Sequence, residues 1–191
     1  MKSLSIIAIF IALPWIASGQ WILDKGHSKF TFIVGHHGIS EVDGYFKKFE
    51  GKLNYTKDDL SDAVFEVNVE TASINTDLEP RDNHLRSEDI FDVTKFPTMT
   101  FKSTSIQKKI GNQYTLQGDL TIKGITKSVA FDLTVNGPVP NPNPNAKAMQ
   151  MGVKATARIR RLDFNLGSKL PTMFVTDEIE IRATGELNKT L

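Results

Sequence analysis

The chain has 191 residues, with 23 lysines and arginines against 22 aspartates and glutamates, and no cysteine. So even a charge balance argues against a nucleic-acid binder, which normally carries a basic excess. The lack of cysteine excludes disulfides, cysteine lipidation and a cysteine nucleophile, and the length suits one domain with a sizeable core.

Residues 1–19 read as a secretory signal, which predicts an exported protein, periplasmic or secreted. Lys2 supplies the positive start, Leu4 to Ile16 is an apolar run, and Ala17-Ser18-Gly19 offers small residues for cleavage before Gln20. The run is short for a membrane span. Residues 20–191 are then the mature domain, with as many acids as bases once Lys2 is gone.

From there a period of two dominates, the signature of strands with one greasy face. Phe30, Phe32 and Val34 alternate with Lys29, Thr31 and Ile33, and His36 continues the inward parity. A strand is expected around Tyr45 to Tyr55, and Phe65, Val67 and Val69 mark another. Glu79 to Glu88 reads as a helical turn or short helix with Pro80 near its start. A strand carrying Phe101 follows, from Met99 to Ile106. Leu116 to Ile122, Val129 to Val135, Val153 to Ile159 and Ile179 to Ala183 alternate in the same way. Turn signals fall at Lys25-Gly26, Ile110-Gly111-Asn112 and Lys123-Gly124. Four prolines between Asn136 and Lys147 predict a long exposed loop there, because proline is barred from central strands. The expected fold is all-β: one antiparallel barrel of about eight strands, able to close around a single ligand.

Two groups of polar residues stand out. Extending the parity of Val153 to Ile159 puts Arg161 and Asp163 inward, where a buried arginine needs a partner. That pair is either a core ion pair or an anchor for a ligand head group. The second group is Arg81, Asp82 and His84, set beside Leu85, Ile90, Phe91 and Phe96. Charges mixed with apolar residues suit the mouth of a cavity. His36-His37 and Asp82-x-His84 could offer metal ligands, but the spacings match no strong metal signature. No Gly-x-Ser-x-Gly elbow and no phosphate loop is present.

Several of these stretches together resemble one family. They are His27-Ser28, His36, Gly44-Tyr45-Phe46, Ser73-Ile74-Asn75-Thr76, and Arg81-Asp82-x-His84-Leu85 with Asp89 and Phe91. Phe96-Pro97, Phe101-x-Ser103, Gly118 to Lys127 and Arg161-Leu162-Asp163-Phe164 follow in order. The chain thereby resembles the YceI-like proteins, exported lipocalin-like barrels that bind polyisoprenoids, from Trp21 to its end. One departure is Asn165, where the family usually has glycine; asparagine tolerates a left-handed backbone better than most residues. The resemblance implies a binding protein without cofactor or catalytic residues, a long isoprenoid or similar amphiphile as ligand, and a homodimer. Its tail would lie among apolar residues such as Phe30, Phe32, Phe91 and Phe101. Its head would meet His36, Arg81, Asp82, His84, Arg161 and Asp163. The alternative is an enzyme in the same barrel, with Asp82 and His84 or His36 moving protons on a lipid-like substrate.

Overall fold

Alternation of apolar and polar side chains gives the chain long antiparallel strands whose greasy faces can only be buried by curling the sheet onto itself. The structure, a computed structural model, describes residues 20–190; the signal expected over residues 1–19 lies outside the described residues. The strands are β1 (Trp21–Leu23), β2 (Lys29–His36), β3 (Ser40–Phe46), β4 (Phe49–Asn54), β5 (Val64–Glu70) and β6 (Ile74–Asn75). After the helix α1 (Glu79–Arg86) come β7 (Thr98–Lys108), β8 (Gln113–Ile122), β9 (Ile125–Pro140), β10 (Ala148–Arg160) and β11 (Val175–Thr190).

Eight of them close a ring in the order β1-β4-β5-β7-β8-β9-β10-β11, with β1 paired both to β4 and back to β11. The closing registers are Trp21 opposite Leu53 and Leu23 opposite Leu187. β11 is long enough to serve twice: beyond its pairing with β1 it takes β2, with Ala183 opposite Phe30 and Ile181 opposite Phe32. β3 and the short β6 extend the sheet on that side. The interior is built from Phe65, Leu116, Phe131, Leu133 and Leu187, all buried, as their strand parity requires.

One barrel end is capped. α1, the segment after it with Ile90 and Phe91, and residues 161–174 fold across it. The main chain of Gly167 donates to the Asp89 carbonyl at 3.0 Å. Lys123 Nζ donates to the carbonyls of Glu88 and Asn165 at 2.8 and 3.3 Å, so one side chain ties the two cap segments together. Lys169 pairs with Asp89 at 3.1 Å and holds that carboxyl below its ordinary value. Asn165 sits in the left-handed region at φ 54°, so the turn that glycine would make is kept.

Two expectations about strands are corrected. The strand expected from Tyr45 to Tyr55 is two strands, β3 and β4. Between them the chain turns so that the Lys47 amide reaches the Ser73 carbonyl and the Lys48 amide reaches Ser73 Oγ, both at 3.1 Å. The loop expected from Asn136 to Lys147 is also shorter, because β9 runs on to Pro140 and pairs with β10 as far as Met149 opposite Pro140. The pairing of β9 with β8 stops at Thr134, opposite Gln113. Past that point β9 is an edge, where the N–H that proline lacks has no ladder partner to lose.

Candidate functional site

Two adjoining cavities occupy the barrel. One, of about 150 Å³, lies among Phe30, Phe65, Phe101, Leu116, Phe131 and Leu187. The other, of about 280 Å³, lies under the cap among Val34, Ile74, Leu85, Phe91, Ile159 and Leu170. Phe32, Phe46, Met99, Ile122 and Ile181 line both, so these five residues stand between them. Phe101 meets Phe131 edge-on at 4.9 Å between ring centres, and Phe91 meets Phe46 in the same way at 5.9 Å. The four phenylalanines expected on the inner wall, Phe30, Phe32, Phe91 and Phe101, all line one or both cavities.

Room for these rings comes from glycine. Phe32 lies where a β-carbon on Gly44 of the neighbouring strand would stand, and Phe101 does the same over Gly118. A larger residue would crowd the ring and the Thr76 methyl at position 44, and the ring and the Lys102 carbonyl at position 118.

The polar groups of the second cavity are His36, Thr76, Arg81, His84 and Arg161. No carboxylate lines either cavity among the described residues. Arg81 donates from Nε to Thr76 Oγ1 and from Nη2 to the Thr76 carbonyl, both at 2.7 Å, which leaves Nη1 uncommitted. His36 and His84 are exposed at the rim. The His36 ring lies 4.0 Å from that of His37, which in turn lies 5.3 Å from Phe174. The arrangement offers hydrogen-bond donors at the mouth of an otherwise apolar chamber.

Asp82 and Asp163 do not stand where parity and clustering put them. Asp82 is 1% exposed, and its carboxylate accepts from the Thr76 amide at 2.9 Å and from Thr76 Oγ1 at 2.5 Å. It fixes α1 to the chain before it and does not line the cavity. Arg86 completes that attachment through the carbonyls of Ala72 and Ile74 at 3.1 Å. Asp163 is exposed, and no Arg161–Asp163 pair forms. β10 ends at Arg160, and residues 161–164 form a 3₁₀ turn, whose three-residue period breaks the alternation.

Arg161 is nonetheless buried, at 3% exposure. Its Nε donates to the Thr176 carbonyl at 3.1 Å, Nη1 to Leu166 and Gly167 at 2.9 and 2.6 Å, and Nη2 to Leu170 and Val175 at 2.6 and 3.1 Å. A guanidinium has five N–H donors, and here all five meet main-chain carbonyls, three in the cap and two at the start of β11. Burial pulls its pKa below the ordinary arginine value, while Asp177 opposes that. Asp177 is the carboxylate of this corner. Burial disfavours its charge, yet the Leu162 amide at 3.0 Å and Arg160 at 2.7 Å hold it below its ordinary value.

A third group lies beside the β1–β2 break, away from both cavities. His27 Nδ1 is 3.1 Å from Asp24 and 4.0 Å from Glu186. These three could offer one nitrogen and two oxygens to a metal. All three are substantially accessible, and the Asp24–His27 bond already uses the ligand atoms in an ordinary surface ion pair.

Sequence comparison matches the YceI-like domain to residues 21–187. A UPF0312 protein of Vibrio cholerae is 32% identical over 92% of this chain and 93% of its own length. Protein YceI of Shigella flexneri is 38% identical over 85% of this chain and 83% of its own. Among solved structures, Burkholderia cenocepacia BcnA superposes with a TM-score of 0.75 at 25% identity, covering 86% of this chain and 98% of that one. A Saccharophagus degradans domain described as polyisoprenoid binding shares the fold at TM-score 0.68 and 11% identity, covering 90% of this chain and 98% of that one.

Proposed function

Since the chain belongs to the YceI-like family, we propose that it is an exported carrier whose barrel holds the tail of a long isoprenoid or similar amphiphile and whose mouth takes the head group. The observation that carries this reading is the pair of adjoining cavities walled mostly by apolar side chains, with Arg81, His36 and His84 at the rim of the second. Polyisoprenoid binding ascribed to a domain of the same fold points the same way. Moving one five-carbon unit from water into such an interior gains roughly 3–4 kcal/mol, at about 0.8 per carbon. The tail therefore supplies affinity, and the head contacts select and orient.

Arg81 is the donor best placed for the head, because Thr76 holds it while leaving Nη1 open. His36 and His84 stand beside it on the rim. Arg161 acts one step back. With its five donors spent on main-chain carbonyls, it shapes the chamber that receives the ligand. Acid–base catalysis has less support, since the carboxylate proposed for it, Asp82, is committed to Thr76.

Titration with prenyl alcohols of increasing length tests the carrier reading. Affinity should rise with each unit until the two cavities are filled and then level off. Length-independent binding would contradict it. Export is tested by intact mass, which should show a mature chain beginning at Gln20.

A further inference from the structure

The mouth carries an apolar rim that the binding function does not use. Ile39, in the turn between β2 and β3, is 89% exposed, Met173 is 72% exposed and Phe174 is 44% exposed. The two loops are held side by side: the His37 amide donates to the Phe174 carbonyl at 2.9 Å, and the His37 ring lies tilted against that of Phe174. Both run directly into the cavity wall, through His36 on one side and Val175 on the other. Among the described residues Ile22, Leu78, Ile110, Val139 and Leu162 are exposed as well, but no contact ties any two of them into one surface as His37 ties the loops of Ile39 and Phe174. Three large apolar side chains from two tied loops, at the edge of a lipid cavity, form a patch rather than scattered exposure.

We propose that this rim docks onto a phospholipid bilayer, with Ile39, Met173 and Phe174 entering the interfacial layer so that the mouth faces the membrane. The inference rests on the carrier reading above. A long apolar tail that leaves the barrel through water must expose every carbon it carries. A mouth pressed against acyl chains removes that exposure. The polar groups behind the rim fit the same occupant: Arg81, His36 and His84 offer donors to phosphate and ester oxygens, and no carboxylate lines the chamber. The acids at this end are Glu41 and Asp43 on the β2–β3 hairpin, Glu88 and Asp163 in the cap segments, Asp89, which Lys169 pairs, and Asp177, which Arg160 pairs. A second copy of the chain covering the same patch is the competing occupant.

Flotation of the protein recovered after export, with vesicles of phosphatidylcholine and of phosphatidylcholine with phosphatidylglycerol, tests the proposal. The comparison is the natural chain against the double variant Ile39→Asp, Met173→Asp, whose two side chains are largely in solvent and leave the core untouched. The natural chain should float with vesicles, and the variant should bind them at least tenfold less while unfolding at the same denaturant midpoint. Ligand loaded into both from detergent should be equal, and transfer of that ligand to vesicles should slow only in the variant. Equal flotation of the two, or none by the natural chain, overturns the proposal. So does a variant that turns a dimer into a monomer without changing flotation, since the patch is then an interface between copies. Vesicle binding with no ligand ever loaded would instead defeat the carrier reading while leaving the docking surface standing.

Discussion

Phe32 on β2 occupies the space above Gly44 on β3, the residue directly opposite it in the ladder. The methyl of Thr76 also lies against that space. Phe32 lines both cavities and stands between them.

Gly44→Ala should therefore push the Phe32 ring toward the cavities and destabilise the fold by about 1–3 kcal/mol, the usual cost of overpacking. In a Phe32→Leu background the same change should cost clearly less, because the two residues share one volume. Denaturant unfolding of the four proteins in the cycle checks this. Equal costs in both backgrounds would show that Phe32 does not fill that space.

Arg161→Met should be among the most damaging single changes, at about 3–5 kcal/mol, because it strands carbonyls of the cap away from water. Arg161→Lys should recover only part of the loss, since an ammonium has three donors for the five carbonyls. Asp163→Leu should change stability by no more than about 0.5 kcal/mol, alone or combined with Arg161→Met. Rescue of Arg161→Met by Asp163→Leu would contradict the assignment, for it would mean the two are paired.

How far these features could be read from the chain follows from their periods. Phe30, Phe32, Phe101 and the burial of Arg161 were legible because strand parity carries straight to them. The partner of Arg161 was not, because its acceptors are main-chain carbonyls, which no side-chain pattern records, and because the 3₁₀ turn ends the alternation before Asp163. Asp82 looked like a mouth residue beside Arg81 and His84. A helix turns neighbours to different faces, so Asp82 points to Thr76 while its neighbours reach the cavity. Thr76 itself, which holds both Arg81 and Asp82, carried only the weak signal of its place after Ser73-Ile74-Asn75. Pro138 and Pro140 argued correctly against a central strand, but an edge accepts them.

The Asp24–His27 contact gives a pH signature independent of the cavities. Asp24 raises the His27 pKa above its ordinary value, and His27 lowers that of Asp24. A raised histidine stabilises the fold below its unfolded pKa and loses that effect as pH climbs through the folded value. A lowered aspartate stabilises above its unfolded pKa and loses the effect as pH falls through the folded value. The pair thus helps most between the ordinary carboxylate and imidazole ranges, weakly and less so in high salt. NMR titration should show the His27 pKa falling toward its ordinary value in Asp24→Asn. An unchanged His27 titration would contradict the contact.

The most direct measurement is of what the barrel holds when the protein is purified without added lipid. Organic extraction followed by mass spectrometry should recover an intact amphiphile with a long apolar tail, near one per chain. Phe101→Asp should lose it, either by failing to fold or by placing an unpaired carboxylate among Phe131, Leu116 and Leu120. A fully folded natural protein that yields no lipid, and takes none up when prenyl alcohols are supplied, would contradict the account.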